Sequence, residues 1–208
     1  SGLGILSPMF SSDAASGGGG DNQVVFSTAD KLNVYNGATV IATTNRVFRD
    51  VSAWYHIVVA VNAGASGTDK CKIYVNGTLE TSFSTDNRSS FTVMNGWNQG
   101  TAQSVGSDET GFVHGYMAEV VMIDGTQYAA SDFGEFDEDS PTIWKPKDIS
   151  GLTFGSQGWY LDFEDSGDLD DDESGNGNDW TLANLAAADQ MLDTPTNNFA
   201  VFNEVTRP

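Results

Sequence analysis

Apolar residues in this chain recur mainly at every second position, in short runs bounded by Gly, Asn and Asp. That is the period of β-strands with one buried face. The clearest run is Cys71-Lys72-Ile73-Tyr74-Val75, where Cys71, Ile73 and Val75 alternate with Lys72 and Tyr74. Asn76-Gly77 supplies the positive φ angles of a two-residue hairpin turn, and Leu79, Thr81 and Phe83 carry the alternation on. Before it, Trp54 to Val61 is apolar on both faces, which predicts a strand covered on both sides.

The same pattern predicts strands at Val24 to Ser27, Leu32 to Tyr35, Thr39 to Thr43, Arg46 to Val51 and Ser90 to Val93. Asn36-Gly37 joins the second and third by another tight turn. A long strand is predicted over Val113 to Ile123, with Val113, Met117, Val121 and Ile123 on one face. Tyr116, Ala118, Val120 and Met122 lie on the other. The last strand is Trp159 to Glu164, with Trp159, Leu161 and Phe163 inward. Between strands, Asn95 to Ser107 reads as a Gly- and Asn-rich loop around Trp97. Ala129 to Phe133 reads as a short helical turn stopped by Gly134. Residues 1–23, with Gly17 to Gly20, give a flexible or incomplete N-terminal segment. Residues 24–183 form the β-sandwich, and 184–208 an extended C-terminal arm, loop-rich with some helical character at Leu185 to Met191. Ile73, Val75, Val121 and Phe163 are expected to share one interior.

Length and composition fit that reading. The 208 residues suffice for one all-β domain, and 23 Gly with 11% aromatics suit a turn-rich sandwich. Net charge is −20, a field that repels phosphate, so neither nucleic acid nor an anionic membrane is an expected partner. No apolar run approaches the roughly 20 residues of a membrane span. The single cysteine, Cys71, excludes an internal disulfide and a cysteine-rich zinc site, and its place on an apolar strand face predicts a core residue.

Beyond the hairpin at Trp54 to Gly77, three stretches carry a resemblance. One is Gly115-Tyr116-Met117-Ala118-Glu119-Val120-Val121-Met122-Ile123-Asp124-Gly125 with Phe133-Gly134-Glu135. The second is Ile143-Trp144-Lys145-Pro146-Lys147 leading to Gly158-Trp159-Tyr160-Leu161-Asp162-Phe163. The third is Asp172-Glu173-Ser174-Gly175-Asn176-Gly177-Asn178-Asp179-Trp180-Thr181, then Asp193-Thr194-Pro195-Thr196-Asn197-Asn198-Phe199. Together they resemble the laminin-G-like (concanavalin-A-like) domain of tailed-phage tail-fibre and virion-surface proteins. The resemblance implies an antiparallel jelly-roll sandwich on the virion surface, in a tail fibre, head fibre or decoration protein. It implies adhesion to host-surface glycans or spacing of other virion subunits, in a homo-oligomer that is a trimer if it is a fibre. That family's opening strand is not recognisable before residue 20. Edge positions near residues 1–30 are therefore expected to be covered by sequence outside this chain or by a neighbouring subunit.

Four groups of residues invite chemistry. Glu135, Asp137 and Asp139 alternate like the paired carboxylates of glucanases of this fold, but sit among loop signals and lack the Glu expected at the third position. They read as an acidic loop, and no catalytic residue is assigned. Asp168, Asp170, Asp172, Asn176, Asn178 and Asp179 form an oxygen-rich segment that suits calcium, yet the spacing is not that of an EF-hand. The same residues equally serve Asx turns. Trp97, Tyr128 and Trp180 lie in or beside loops and either stack on sugar rings or belong to the core. His56 and His114 fall within strands without a Ser or Cys partner, which argues against a nucleophilic triad. The competing functional classes are a carbohydrate-active enzyme or its binding module, and an assembly domain without a ligand.

Overall fold

A computed structural model describes residues 6–12, 22–94, 96–97, 101–108, 111–191 and 195. The fold is all-β and antiparallel, and the helical segments among the described residues are single 3-10 turns at Gly67–Lys70, Ala130–Asp132 and Ala187–Asp189. Its strands are β1 (Ser7–Ser12), β2 (Asn22–Phe26), β3 (Leu32–Asn36), β4 (Thr39–Thr44), β5 (Ile57–Val61), β6 (Cys71–Val75) and β7 (Thr78–Leu79). There follow β8 (Phe83–Asp86), β9 (Gln103–Val105), β10 (Val120–Met122), β11 (Gly134–Phe136), β12 (Trp144–Pro146) and β13 (Trp159–Leu161).

The larger layer is a six-stranded sheet in the order β8-β4-β3-β2-β1-β9. Opposite it stand the three-stranded sheet β5-β6-β7 and the pair β10-β13. The alternation in β6 does what the sequence predicts: Cys71, Ile73 and Val75 point inward and pack with Val24, Leu32, Val34, Ile41 and Ala42 of the facing sheet. A smaller cluster forms where Trp159 and Leu161 of β13 meet Phe10 of β1, with Val120, Met122 and Phe163 around them. Trp97 packs against both clusters and joins them.

Several expectations are corrected. Residues 1–23 are not all unstructured: Ser7–Ser12 is an interior strand, hydrogen-bonded to β2 on one side and β9 on the other. Neither β1 nor β2 is an edge: both are interior in the six-stranded sheet. Pro8 hides this strand from pattern reading; it is fully buried at a bulge, one of the few places a strand tolerates proline. Gly17 to Gly20 lie outside the described residues. Within the loop expected at Asn95 to Ser107, Gln103–Val105 pairs with β1.

Arg46 to Val51 and Ser90 to Val93 are not strands. The first is an extended loop, pinned where the Phe48 amide donates to Asp30 O at 2.7 Å, and closed by a turn in which Ser52 N donates to Asp50 Oδ1. In the second, Phe91 is buried after a turn in which the Ser90 amide donates to Asn87 O. The strand predicted over Val113 to Ile123 is regular only at Val120–Met122. Glu119 adopts φ +54°, which breaks the alternation there and turns Val120 and Met122, not Val121, toward the smaller cluster. Likewise β13 ends at Leu161, because Phe163 has φ +59°. The four residues expected to share one interior are thus divided: Ile73 and Val75 lie in the larger cluster and Phe163 beside the smaller. β5, expected to be covered on both sides, is mostly half-buried and stands at the end of its sheet. Gly134 opens β11 instead of merely stopping the turn before it.

Candidate functional site

The acidic segment near residue 170 is built around Asp172, a buried carboxylate between β13 and the loop that follows. Its Oδ1 accepts from the amides of Tyr160 (2.8 Å) and Ser174 (2.9 Å). Its Oδ2 accepts from the Ser174 hydroxyl and the Asn178 amide, both at 2.9 Å. Burial by itself pushes the Asp172 carboxyl upward, but the donors of Ser174, Asn178 and Tyr160 outweigh it and hold it below the usual range. Asn176 and Asn178 turn their amide nitrogens onto the Gly158 carbonyl, at 2.9 and 2.8 Å. These three of the six residues considered for calcium therefore serve as backbone caps. The Asp179 Oδ1 accepts from the Asp172 amide at 3.2 Å. Among the described residues no three His, Cys, Asp or Glu side chains converge to hold a metal ion. Asp168 is held above the ordinary carboxylate range by partial desolvation and by Asp171 and Asp170.

The three candidate aromatics are not one platform. Trp97 donates from Nε1 to Tyr35 O at 3.3 Å and lies 5.4 Å from the Phe10 ring. Trp180 meets the Trp159 ring edge-on at 4.7 Å, so it and Trp97 both pad the smaller cluster. Tyr128 stands edge-on to Phe133, and its hydroxyl accepts from the Thr153 amide. The Glu135 run is a hairpin. Gly134–Phe136 pairs with Trp144–Pro146, and Asp137 organises the connection between them. The Asp137 Oδ1 accepts from the amides of Asp139 and Ser140, and its Oδ2 pairs with Lys145 at 3.1 Å. The Lys145 ammonium, foremost, holds Asp137 below the usual carboxylate range. Glu135 and Asp139 are exposed.

Two clefts open on the second layer. The smaller, about 370 Å³, lies over Tyr160 and Phe154, whose rings stack at 11°. Glu119, Asp162, Glu173, Lys147, Ser150 and Ser174 surround it. The Tyr160 hydroxyl donates a hydrogen bond to Glu119 Oε2. Burial, followed by that carboxylate, pushes the Tyr160 phenol far above its ordinary range, so it stays a neutral donor. The left-handed backbone at Glu119 is what delivers its side chain there, and such strain is often found at binding sites. Glu173 is raised by the nearby Asp162 and Asp171 carboxylates. In the sequence, only the alternation of Tyr160 and Asp162 with the inward Trp159 and Leu161 hinted at this surface. Nothing local marked Glu119.

The larger cleft, about 920 Å³, separates β5 from the segment 113–124 and reaches down to Phe10, Trp97 and Trp159. Trp97 and Tyr128 both line it, whereas Trp180 does not. His56 stands at its wall, and burial holds its imidazole down to about 4. His114 is placed by its amide, which donates to Ser7 Oγ. No helix among the described residues is long and apolar enough to cross a membrane. Compared with family models, curated proteins and solved structures, the chain gives no match.

Proposed function

We propose that this chain is a non-enzymatic, laminin-G-like sandwich of a virus particle's surface, in a tail fibre, head fibre or decoration protein, and that it adheres to host-surface glycans. The three sequence stretches that carry the resemblance support this, and the all-β antiparallel fold is compatible with it. The observation that carries the adhesive part is the cleft over Tyr160. A flat ring beside Glu119, Asp162 and Glu173 acceptors and two serine hydroxyls matches a ligand with one apolar face and a rim of hydroxyl donors. Loops on a rigid sheet are the usual carriers of such sites. Net charge −20 disfavours sialylated, sulfated or phosphorylated glycans, so the ligand class is neutral sugars.

Catalysis is not part of this reading. Glu119 is engaged by Tyr160, Asp137 by Lys145 and two amides, and Asp172 by four donors. A glycan array with the intact chain, followed by a hydrolysis assay on each hit, tests the proposal. Neutral glycans should bind uncleaved, and Asp162→Asn with Glu173→Gln should weaken binding at least tenfold. Cleavage of a hit would make the chain a carbohydrate-active enzyme. A silent array with a large subunit interface would make it an assembly domain without a ligand.

A further inference from the structure

We infer that the cleft over Tyr160 takes sugars bearing a 2-acetamido group and that Lys147 selects them; the inference rests on the reading of this cleft as a glycan site. The observation behind it is an unused cation. Of the nine Lys and Arg, five pair with carboxylates. Lys31 and Lys70 donate to Ser84 Oγ and Phe91 O, and Arg207 lies outside the described residues. That leaves Lys147, which lines the cleft and whose ammonium has no ion pair or hydrogen bond among the described residues. Its backbone is held, because the Lys147 amide donates to Phe133 O at 3.2 Å and Ile149 is buried two residues on. Glu119, Asp162 and Glu173 line the same cleft, yet none of them pairs with Lys147. Glu119 instead accepts from the Tyr160 hydroxyl, and the neighbouring Asp148 accepts from the Ser150 amide. The cleft thus offers a charged donor and a carboxylate rim that do not cancel each other.

A donor of this kind requires an acceptor, and the rim together with the net charge of −20 excludes an anionic one. The strongest neutral acceptor on common sugars is the carbonyl of an acetamido group. A hydrogen bond to it from an ammonium is roughly twice as strong as one between neutral groups. The rest of the group fits as well. Its N–H donates to the carboxylate rim, and its methyl meets Pro146 and Ile149, the apolar lining residues next to Lys147 along the chain. A hydroxyl in the same position supplies neither the strong acceptor nor the methyl.

The test is calorimetric titration of the full chain with two matched pairs of sugars. One pair is N,N′-diacetylchitobiose and cellobiose, the other the methyl glycosides of N-acetylgalactosamine and galactose. The acetamido member of at least one pair should bind at least tenfold tighter. In Lys147→Met that preference should fall to within about threefold, and Lys147→Arg should keep it. Lys147 is exposed, so both variants should melt as the parent chain does. Equal binding within both pairs overturns the inference and leaves the glycan reading standing, as does a preference that survives Lys147→Met. The deacetylated disaccharide binding as tightly as its acetylated form in 300 mM sodium chloride overturns it too, since the rim then reads charge. Silence of both pairs while a glycan array yields other neutral sugars overturns the inference alone. Silence of both pairs together with a silent array overturns the glycan reading with it.

Discussion

Asp172 shows how one side chain can organise a loop. Four donors converge on its carboxylate from β13 and from the turn of residues 174–178. Removing it leaves those donors without an acceptor, at a cost of about 2–3 kcal/mol for Asp172→Ala. A thermal melt should read this as a lower Tm. The pH dependence follows from the depressed carboxyl. The unfolded chain takes up this proton more readily than the fold, so the stabilisation is complete above the ordinary value near 3.9 and lost as pH falls through the lower folded value. Asp168 runs the other way: its raised carboxyl means the fold disfavours its charge, so Asp168→Asn should raise Tm at neutral pH, and high salt should remove only the part of that gain owed to the neighbouring Asp171 and Asp170 carboxylates. His56 titrates in a different window. Its folded value of about 4 against 6.5 unfolded makes the unfolded chain the better proton acceptor between those limits. Stability should therefore fall by about 3 kcal/mol from pH 7 to pH 4 through this group. His56→Gln should flatten the profile measured by urea unfolding between pH 7 and 4.

The elements depend on close approaches that only glycine permits. The Trp144 ring of β12 lies on the Asn76-Gly77 turn, where a Cβ on Gly77 would stand 2.2 Å from it. The same ring covers Gly134 of the neighbouring β11, so one tryptophan fastens the β11-β12 hairpin to the end of β6. Gly77 also has φ +73°. Gly77→Ala should cost about 2–4 kcal/mol, combining left-handed backbone strain with overpacking. Gly67, also left-handed but with open space around it, should cost less when changed to alanine, by chemical denaturation of both variants. Asn76-Gly77 and the alternation around it were legible as a hairpin because both are local signals. The covering ring was not, because Trp144 is 67 residues away. The same divide explains β1 and β9. A buried proline and a Gln-Ser-Val segment acquire strand character from their partners, not from their own propensity. Arg88 is a further case: a cation in a polar run becomes buried by clasping Asp86 with two bonds of 2.8 Å and lying 4.0 Å over Phe83.

At the scale of the molecule, two cores joined by Trp97 stand under an acidic surface. Five ion pairs among the described residues engage few of the 29 carboxylates, so self-repulsion acts across the whole fold. Raising sodium chloride from 10 mM to 300 mM should raise Tm, read by calorimetry, because a shorter screening length relieves that repulsion. The second layer is divided into β5-β6-β7 and β10-β13, with the large cleft lined from both. Hydrogen exchange should be slowest in β3 and β6, whose side chains sit in the larger cluster, and faster in β5 and β10 beside the cleft.

The sequence alone determined the fold class, most strands of the larger core, the inward face of β6 and the burial of Cys71. Each rests on period-two alternation or on a turn dipeptide, information held within a few neighbouring residues. Only the tertiary structure decided that Pro8 sits inside a sheet, that Glu119 reverses the face of β10, and that Asp172 caps backbone amides. It also brought Tyr160, Glu119 and Glu173 to one cleft, from three segments that no local pattern connects. Contacts between distant residues depend on how the layers pack, and a single left-handed residue is enough to exchange which face of a strand is inside.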